Sequence, residues 1–334
     1  MPPLSLAFDM RVPDLGTSPA GIYSAALDMC RHVDGRGFDY AWVMEHHAAS
    51  DGYLPSPLTM AAAIAACTKH VRLLAGVIIL PLHDPVKIAE EMAVVDLISN
   101  GRLDVAFGAG YVPREFAMFN RDIHKRGQAL DEGVPIIQRA LAGERFKADG
   151  RDIFVRPLPV QKPVSILMGG GVPATAKRAA RFGVGLCPMT PAIVPIYQEE
   201  CAKLGKTPGK IIANIAQIHV TEDPDRTWHD IKPHVTQFVR SYAEFTEGAA
   251  ESGSPYEGME QIDLPMLKKL GILSVVTPDE AVKLVQEADQ MGAGLSLHPL
   301  LGGMSPRLGF ESIDLFINKV LPRIRSARPA AGLG

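Results

Sequence analysis

The chain has 334 residues, of which 47% are hydrophobic, so it is large and apolar enough to form a globular core. Its formal net charge of −3, without a long basic block, argues against nucleic acid as a main partner, and no stretch approaches the roughly 20 apolar residues of a membrane span. Four scattered cysteines with no Cys-x-x-Cys pair, and an N-terminus without a basic and then apolar leader, predict a cytoplasmic protein with a small-molecule partner.

Short apolar runs alternate with segments of helical period along the first half of the chain. The predicted elements are a strand at 4–8, a helix at 20–36, a strand at 38–44, a helix at 58–69, a strand at 71–80, a helix from about 85 to 99, a strand at 103–107 and a helix at 126–141. Asp84 is placed to cap the third of these helices, which carries Pro85 in its first turn. Four βα units in a row favour a parallel sheet with helices outside it.

The second half begins with a departure from this rhythm. Residues 143–163 contain Asp149-Gly150 and several prolines, which predicts a hairpin-like excursion. The remaining predicted elements are a strand at 164–168, a helix at 173–182, a strand at 184–187, a helix at 192–204, a strand at 211–220, a helix opened by Asp223-Pro224, a helix at 278–291, a strand at 295–298 and a closing helix at 305–324. The polar segment 243–271 is interpreted as an insertion and a candidate lid.

Eight strands that alternate with helices in one domain, residues 1–334, predict a (β/α)8 TIM barrel with insertions after strands 4 and 7. A doubly wound open sheet is the alternative. Its nucleotide fingerprint, Gly-x-Gly-x-x-Gly, is expected after the first strand, and residues 9–16 do not contain it. The barrel is therefore favoured, and its active site is expected at the carboxyl ends of the strands.

Titratable side chains follow several of the predicted strands. Glu45, His46 and His47 come directly after the second strand and are the main candidates for acid–base chemistry. Further such groups at this rim are Asp9, His83, Asp84, Tyr111, Arg114, Glu115 and His298. A solvated turn is the structural alternative, but packing alone would not require this concentration at one rim. No metal site is predicted, because adjacent side chains diverge in an extended chain and no His-x-His or His-x-x-x-His pair occurs.

A glycine run, Gly169, Gly170 and Gly171, follows the fifth predicted strand, and Val172 to Thr175 lead into a helix. Glycines let backbone N–H groups approach an anion, the helix N-terminus adds its dipole, and the Thr175 hydroxyl can donate a hydrogen bond. The alternative is a tight turn that needs glycine only for positive φ. The position between a strand and a helix favours a phosphate site, to which Arg126 would add positive charge.

The apolar third strand would form a flat floor, and Gly76 would let a ring approach its backbone closely. A buried barrel strand without such a role is the alternative, and the two interpretations are compatible. A phosphate site on one side of the barrel mouth and histidines on another indicate a phosphorylated cofactor that lies across it.

Several motifs, taken in order, resemble the bacterial luciferase-like monooxygenase family. They are Glu45-His46-His47, Leu80-Pro81-x-x-x-Pro85, Ser99-Asn100-Gly101-Arg102-Leu103, and Gly108-Ala109-Gly110-Tyr111 followed by Glu115-Phe116, with Arg126 and the glycine-rich turn that ends at Thr175. The resemblance covers roughly the first 190 residues well, and the C-terminal third mainly in pattern.

The resemblance implies a (β/α)8 barrel, often a homodimer, with a flavin at the carboxyl ends of the strands. It implies that His46 is catalytic, with Glu45 and His47 beside it. The implied cofactor-binding residues are Gly76, Val77, Gly108, Arg126, Gly169, Gly170, Gly171, Val172 and Thr175. Some family members have a non-prolyl cis peptide at the position of Gly76-Val77, beneath the flavin ring.

The activity implied by the resemblance is that of a monooxygenase that uses reduced FMN, supplied by a separate flavin reductase, and O2 to oxidise a small organic substrate. Ala109 departs from the pattern, because relatives that use FMN commonly have Arg there, and Gly-Ala-Gly is also found in relatives that use the 5-deazaflavin coenzyme. The Glu-His-His triplet favours FMN. The alternatives are a 5-deazaflavin-dependent dehydrogenase or reductase and a flavin-binding protein without catalysis.

Overall fold

Nine parallel strands form the central sheet of the described chain, which comprises residues 1–246 and 263–326 of a computed structural model. The strands of this part of the chain are β1 Leu4–Phe8, β2 Tyr40–Val43, β3 Arg72–Ile79, β4 Leu103–Gly108, β5 Phe146–Ala148, β6 Arg151–Ile153, β7 Ser165–Gly170, β8 Gly185–Pro188, β9 Asn214–Val220, β10 Ser274–Val276 and β11 Gly294–Leu297. Their order in the sheet is β10-β9-β11-β1-β2-β3-β4-β7-β8, and β5 and β6 form a separate antiparallel hairpin.

The helices of the same residues connect these strands and pack around the sheet. They are α1 Pro19–Val33, α2 Pro57–Cys67, α3 Pro85–Ser99, α4 Pro113–Met118, α5 Arg126–Leu141, α6 Pro173–Phe182, α7 Ile193–Lys203, α8 Pro224–Thr246, α9 Leu264–Leu270, α10 Pro278–Met291, α11 Pro306–Leu315 and α12 Leu321–Ser326. A π-helical turn, Phe316–Val320, joins the last two. None of the described helices is long and apolar enough to cross a membrane.

The strand order is that of the predicted barrel. β1 pairs with both β2 and β11, so the first and last strands in the sequence are neighbours. On the other side, Leu186 N of β8 donates to Lys210 O at 2.8 Å, and Ile212 N donates to Leu186 O at 2.9 Å, just before β9 begins. The strands are mostly apolar because helices cover one face and core side chains fill the other, and all five residues of β1 are buried.

Local sequence explains where the helices near the candidate site begin. Asp84 caps α3 as predicted, since its carboxylate accepts hydrogen bonds from Val86 N and Lys87 N at 2.8 and 3.4 Å. Pro113 begins α4, which brings Glu115 into the first turn of that helix. The predicted hairpin after the fourth unit is confirmed. Asp149 and Gly150, at its turn, have φ values of 48° and 71°, as a tight hairpin turn requires.

One part of the sequence prediction was wrong. The strand β10 was missed, because three residues, Ser-Val-Val, between two helical segments give no clear period. The interpretation of 243–271 as an insertion and a lid stays a prediction, and helices occupy both ends of the segment. Residues 243–246 belong to α8, and 264–270 form α9, which Asp263 caps by accepting a hydrogen bond from Met266 N at 2.9 Å. The rest of that segment lies outside the described residues. The loop after β4, where the first insertion was predicted, contains α4.

Candidate active site

Glu45 lies at the centre of a buried hydrogen-bond network directly after β2. Its Oε1 accepts hydrogen bonds from His47 Nε2 at 2.9 Å and His83 Nε2 at 2.6 Å, and its Oε2 accepts from Ile79 N at 2.5 Å. Burial alone would raise the pKa of Glu45, but the bonds from His47 and His83 lower it to about 2. Burial would lower the pKa of His83, but its bond to the Glu45 carboxylate raises it. Glu45 is therefore ionised at neutral pH.

His46 has a different partner, the buried carboxylate of Glu115 on α4. Its Nδ1 donates to Glu115 Oε1 at 2.8 Å, and His47 N donates to the same oxygen at 2.7 Å. A carboxylate can only accept hydrogen bonds, so Glu115 fixes the proton on Nδ1 and leaves Nε2 of the neutral ring as the acceptor. His46 is thus oriented to take up or release a proton at Nε2. Glu115 was predicted only as a group at this rim, and its partnership with His46 was missed.

Glu45, His47 and His83 place three ligand-type atoms within 4.8 Å of one another. Adjacent side chains of an extended segment diverge, as predicted, since Glu45 and His46 have different partners. Glu45 and His47 converge, however, because alternate residues of an extended segment lie on the same side. Hydrogen bonds from the two histidines to Glu45 are sufficient to explain why the three side chains lie together. That the site takes no metal stays a prediction.

Aromatic rings surround His46, which is only 8% exposed to solvent. Phe245 stacks on the imidazole with a centroid distance of 4.5 Å and an interplanar angle of 29°, and Tyr53 meets it edge-on at 4.9 Å. Tyr111 and Tyr242 lie at 5.7 and 5.8 Å. Sequence reasoning missed Tyr53, Tyr242 and Phe245. The last two lie three residues apart on α8, a spacing that places them on one face of the helix and could have indicated a shared surface.

A buried arginine, Arg11, contacts three of these rings. Its Nη1 donates to Asp51 Oδ2 at 2.5 Å, its Nε lies 3.6 Å from Asp9 Oδ2, and its Cζ lies 4.6 Å from the centroid of the Tyr53 ring. Burial would lower the pKa of Arg11, but its acidic neighbours Tyr242, Asp9 and Asp51 raise it. Arg11 is therefore a neutralised cation within the site, and sequence reasoning missed it.

His298, predicted at the rim, lies directly after β11. Its Nδ1 lies 3.0 Å from Gln217 Oε1, an acceptor, and its Nε2 lies 3.7 Å from Asp9 Oδ2. Burial lowers the pKa of His298, since the ring is taken out of water. Asp9 and His298 thus belong to the side of the mouth that contains Arg11, while Asp84 acts as a helix cap outside it.

Four of the predicted cofactor residues meet where β3, β4 and β7 end. The Gly76-Val77 peptide is cis, and Trp42 Nε1 donates to Gly76 O. A Cβ atom at Gly108 would lie 2.2 Å from Val77 Cγ1, and one at Gly169 would lie 2.5 Å from Val77 Cγ2. Glycine is therefore needed at both positions to accommodate Val77.

The glycine-rich turn before α6 has the features of an anion site. Gly170 has a φ of +148°, and a Cβ atom there would lie 2.7 Å from Thr175 Oγ1. Among the described residues the Thr175 hydroxyl has no hydrogen-bond partner, and α6 begins without a side-chain cap or an acidic residue in its first turn. Unneutralised N–H groups and a free hydroxyl are the donors that a phosphate takes at a helix N-terminus, so these residues fit the predicted phosphate group.

Arg126 begins α5, and its Nη1 donates to Ile123 O at 2.9 Å. The next residue, Gly127, lies against α6, because a Cβ atom there would be 2.8 Å from Arg178 Nη2. The structure therefore places the beginning of α5 beside α6. Arg178 is itself neutralised by Asp131, at 2.8 Å, which leaves Arg126 as the more available cation of the two.

Comparison with known proteins shows the family. The sequence profile of the luciferase-like monooxygenases matches residues 7–293, so the chain belongs to the luciferase-like monooxygenase family. Limonene 1,2-monooxygenase of Rhodococcus erythropolis is 25% identical over 318 residues, which cover 89% of this chain and 80% of that protein. The oxygenase component of the flavin-dependent trigonelline monooxygenase of Acinetobacter baylyi is 35% identical over 149 residues, 42% of this chain and 41% of that protein. The prediction of an oxidoreductase of this family is confirmed.

Solved structures agree with the predicted barrel. The monooxygenase RslO1 of Streptomyces bottropensis has a TM-score of 0.76 at 25% identity, over 96% of this chain and 99% of that one. The oxygenating constituent of 3,6-diketocamphane monooxygenase of Pseudomonas putida, solved with FMN, has a TM-score of 0.74 at 17% identity, over 97% and 99%. An F420-dependent secondary alcohol dehydrogenase has a TM-score of 0.71 at 18% identity, over 97% and 99%. The last two share the fold, and they use two different cofactors.

Proposed function

We propose that this protein is the oxygenase of a flavin-dependent monooxygenase, which uses reduced FMN and O2 to oxidise a small organic substrate. The observation that carries the proposal is the pairing of His46 with the buried Glu115, since binding alone requires no oriented imidazole. The oxygenase component named among its relatives supports a separate flavin reductase as partner. The flavin, when bound, supplies the reaction with O2, and the protein residues provide orientation, proton transfer and exclusion of water.

The cofactor would be held on two sides. Gly170, Gly171, Val172 and Thr175 would bind its phosphate, with Arg126 nearby, and the backbone of Gly76 and Val77 would lie beneath its ring. The glycines Gly108 and Gly169 have a supporting part, because they leave the space that the Val77 side chain fills. Ala109 contributes no charge, so the phosphate would rely on backbone N–H groups, the Thr175 hydroxyl and Arg126.

His46 would take up or release a proton at Nε2 during oxidation of the substrate. Glu115 keeps the opposite ring nitrogen protonated, and Phe245 and Tyr53 keep the ring largely out of water. Glu45 and His47 would help to hold His46 in place. Glu45 binds the His47 side chain, and His47 N donates to the same Glu115 oxygen as His46 Nδ1. A general acid–base group of this kind contributes about 10²–10⁴-fold to a rate.

The proposal is tested with reduced FMN supplied chemically, which avoids the need for the reductase. We expect tight binding of FMN and substrate-dependent incorporation of oxygen from 18O2, measured by mass spectrometry across a panel of organic compounds. Replacement His46→Asn should lower product formation by about 10²–10⁴-fold while FMN binding stays unchanged. Full activity of His46→Asn would refute the role of His46.

A 5-deazaflavin-dependent dehydrogenase is the second candidate function. Two observations favour it: Ala109 stands where an arginine is common in FMN-dependent relatives, and F420-dependent enzymes share the fold. Titration of the protein with FMN and with the deazaflavin coenzyme, each reduced and with or without O2, separates the two. Tighter binding of the deazaflavin and O2-independent hydride transfer would replace the monooxygenase. Tight flavin binding without turnover across the panel would support a binding protein instead.

We also propose a homodimer that is formed through α3. Val94, Leu97 and Ile98 are 42–46% exposed and form one stripe, since residues three and four apart share a helix face. Light scattering during gel filtration should show a dimer for the wild type and a monomer for Leu97→Glu. The matched control is Met291→Glu, an exposed methionine at the end of α10, which should remain dimeric.

A further inference from the structure

Arg114 and the candidate catalytic histidine, His46, contact the same aromatic ring. Arg114 is in the first turn of α4, next to Glu115, and its Cζ is 4.8 Å from the centroid of the Phe245 ring. The same Phe245 ring stacks on His46. A group bound by Arg114 would therefore be separated from the imidazole of His46 by the Phe245 ring alone.

The guanidinium of Arg114 has no partner for one of its edges. Nε and Nη2 are buried from solvent, and neither makes a hydrogen bond to a described residue. Within residues 1–246 and 263–326 no carboxylate forms an ion pair with this side chain. Buried donors without acceptors are rare in proteins, because each forfeits the bonds it would make to water. Such an edge is a site for a ligand that brings acceptors.

Two neighbours differ from Arg114 in how their charge is balanced. Arg11 contacts the same ring, with its Cζ 5.4 Å from the Phe245 centroid, and its Nε and Nη2 also make no hydrogen bond to a described residue, but Asp51 and Asp9 neutralise its charge. Glu115 follows Arg114 in the sequence, yet its Oε1 is engaged by His46 and His47 N. Arg114 is thus the cation of this described cluster whose charge is not balanced by a carboxylate.

From this we infer that Arg114 binds an anionic group of the substrate, and that the protein oxidises an organic carboxylate. Nε and Nη2 lie on one edge of the guanidinium, and their parallel N–H bonds match the two oxygens of a carboxylate. The aromatic rings around His46 would contact the apolar part of the same molecule. The inference rests on the proposed function, because it places the substrate beside His46. The cofactor phosphate is assigned elsewhere, to the turn before α6.

The test uses matched pairs of carboxylate and carboxamide: benzoate with benzamide, and hexanoate with hexanamide. Their affinities for the FMN-loaded protein are measured by ligand-observed NMR titration, and the affinity for FMN is recorded for each variant. In the wild type we expect at least one carboxylate to bind about 10-fold or more tightly than its amide. Arg114→Gln should weaken that carboxylate about 10- to 100-fold and leave the amide unchanged. The carboxylate affinity of Arg114→Lys should lie between those of the wild type and Arg114→Gln, because lysine keeps the charge but loses the two parallel N–H donors of the guanidinium.

Arg307→Gln is the control for net charge, since Arg307 is exposed on α11 and pairs only with Glu311 among the described residues. It should bind every probe as the wild type does. Equal affinity for acid and amide in both pairs, or unchanged carboxylate binding by Arg114→Gln, would refute the inference. An equal loss of FMN affinity in Arg114→Gln would assign the residue to the cofactor phosphate and also refute it. If the protein without FMN bound carboxylates through Arg114 and bound no flavin, the anion site would stand and the proposed function would fail.

Discussion

The two sides of the candidate active site are built in different ways. Around Glu45 and Glu115, buried carboxylates receive hydrogen bonds from histidines and backbone N–H groups. At the turn before α6, the chain offers a Thr175 hydroxyl that no described residue engages, and a glycine with positive φ. The carboxylates of the first side are held by residues of the chain itself, although Glu115 Oε2 has no partner among the described residues, and the second side has donors that a ligand would satisfy. Substitution of Glu45 should therefore affect mainly stability, and substitution of the turn should affect mainly ligand affinity.

The largest effect is expected from Glu45→Ala. This change leaves His47, His83 and Ile79 N without their shared acceptor in a buried place, and breaking a buried charge pair costs about 3–5 kcal/mol. We expect a loss of that size in the free energy of unfolding, measured by urea denaturation at pH 7. Glu45→Gln keeps one acceptor oxygen, so its free energy of unfolding should fall by less than that of Glu45→Ala. A loss below about 1 kcal/mol for Glu45→Ala would show that the network does not stabilise the fold.

The second prediction concerns pH. A carboxyl whose pKa is lowered by folding, as that of Glu45 is, stabilises the protein above its ordinary value of 4.5, and the stabilisation is lost as the pH falls towards 2. His83, whose pKa is raised, contributes fully below its ordinary value of 6.5 and loses its contribution as the pH rises through its folded value. The stability difference between the wild type and Glu45→Gln should therefore be largest from about pH 4.5 to 6.5.

Unfolding by urea at pH 3, 5.5 and 9 measures this difference. We expect about 3 kcal/mol at most at pH 5.5, and smaller values at both extremes. The control is Glu311→Gln, an exposed carboxylate, whose difference from the wild type should change little with pH. A difference that is constant over the whole range would mean that folding shifts neither the pKa of Glu45 nor that of His83.

Much of the fold and part of the site follow from local sequence. Continuous apolar runs indicate buried parallel strands, and the motif from Glu45 to His47 marks the carboxyl end of β2. The partners of these residues could not be predicted in this way, because they come from distant segments. Ser241 donates to Asp51 across 190 residues, and Phe245 reaches His46 from α8. Period and turn signals describe neighbours along the chain, whereas these contacts depend on how the barrel brings its loops together.

The third prediction concerns the glycine-rich turn. Gly170→Ala should reduce FMN affinity about 10-fold or more, because it puts a side chain into a positive-φ position and against the Thr175 hydroxyl. Gly171→Ala is the matched control, since a Cβ atom there would make only an ordinary contact at 3.6 Å with Met189. Fluorescence titration measures both. Riboflavin, which lacks the phosphate, should bind Gly170→Ala and the wild type with similar affinity, and an equal loss for riboflavin would contradict a phosphate site.

The smallest effect is expected from removal of divalent cations. Glu45, His47 and His83 have the atoms for a metal site, but in the structure these atoms hydrogen-bond to one another, and a metal would have to displace protons from both histidines. Dialysis against EDTA should therefore leave the thermal stability and the FMN affinity within error of the untreated protein. Loss of either property, with recovery on adding Zn²⁺ or Fe²⁺ and no recovery in Glu45→Gln, would mean that the cluster is a metal centre. In that case the comparison above would change, because the side around Glu45, like the turn before α6, would depend on a ligand.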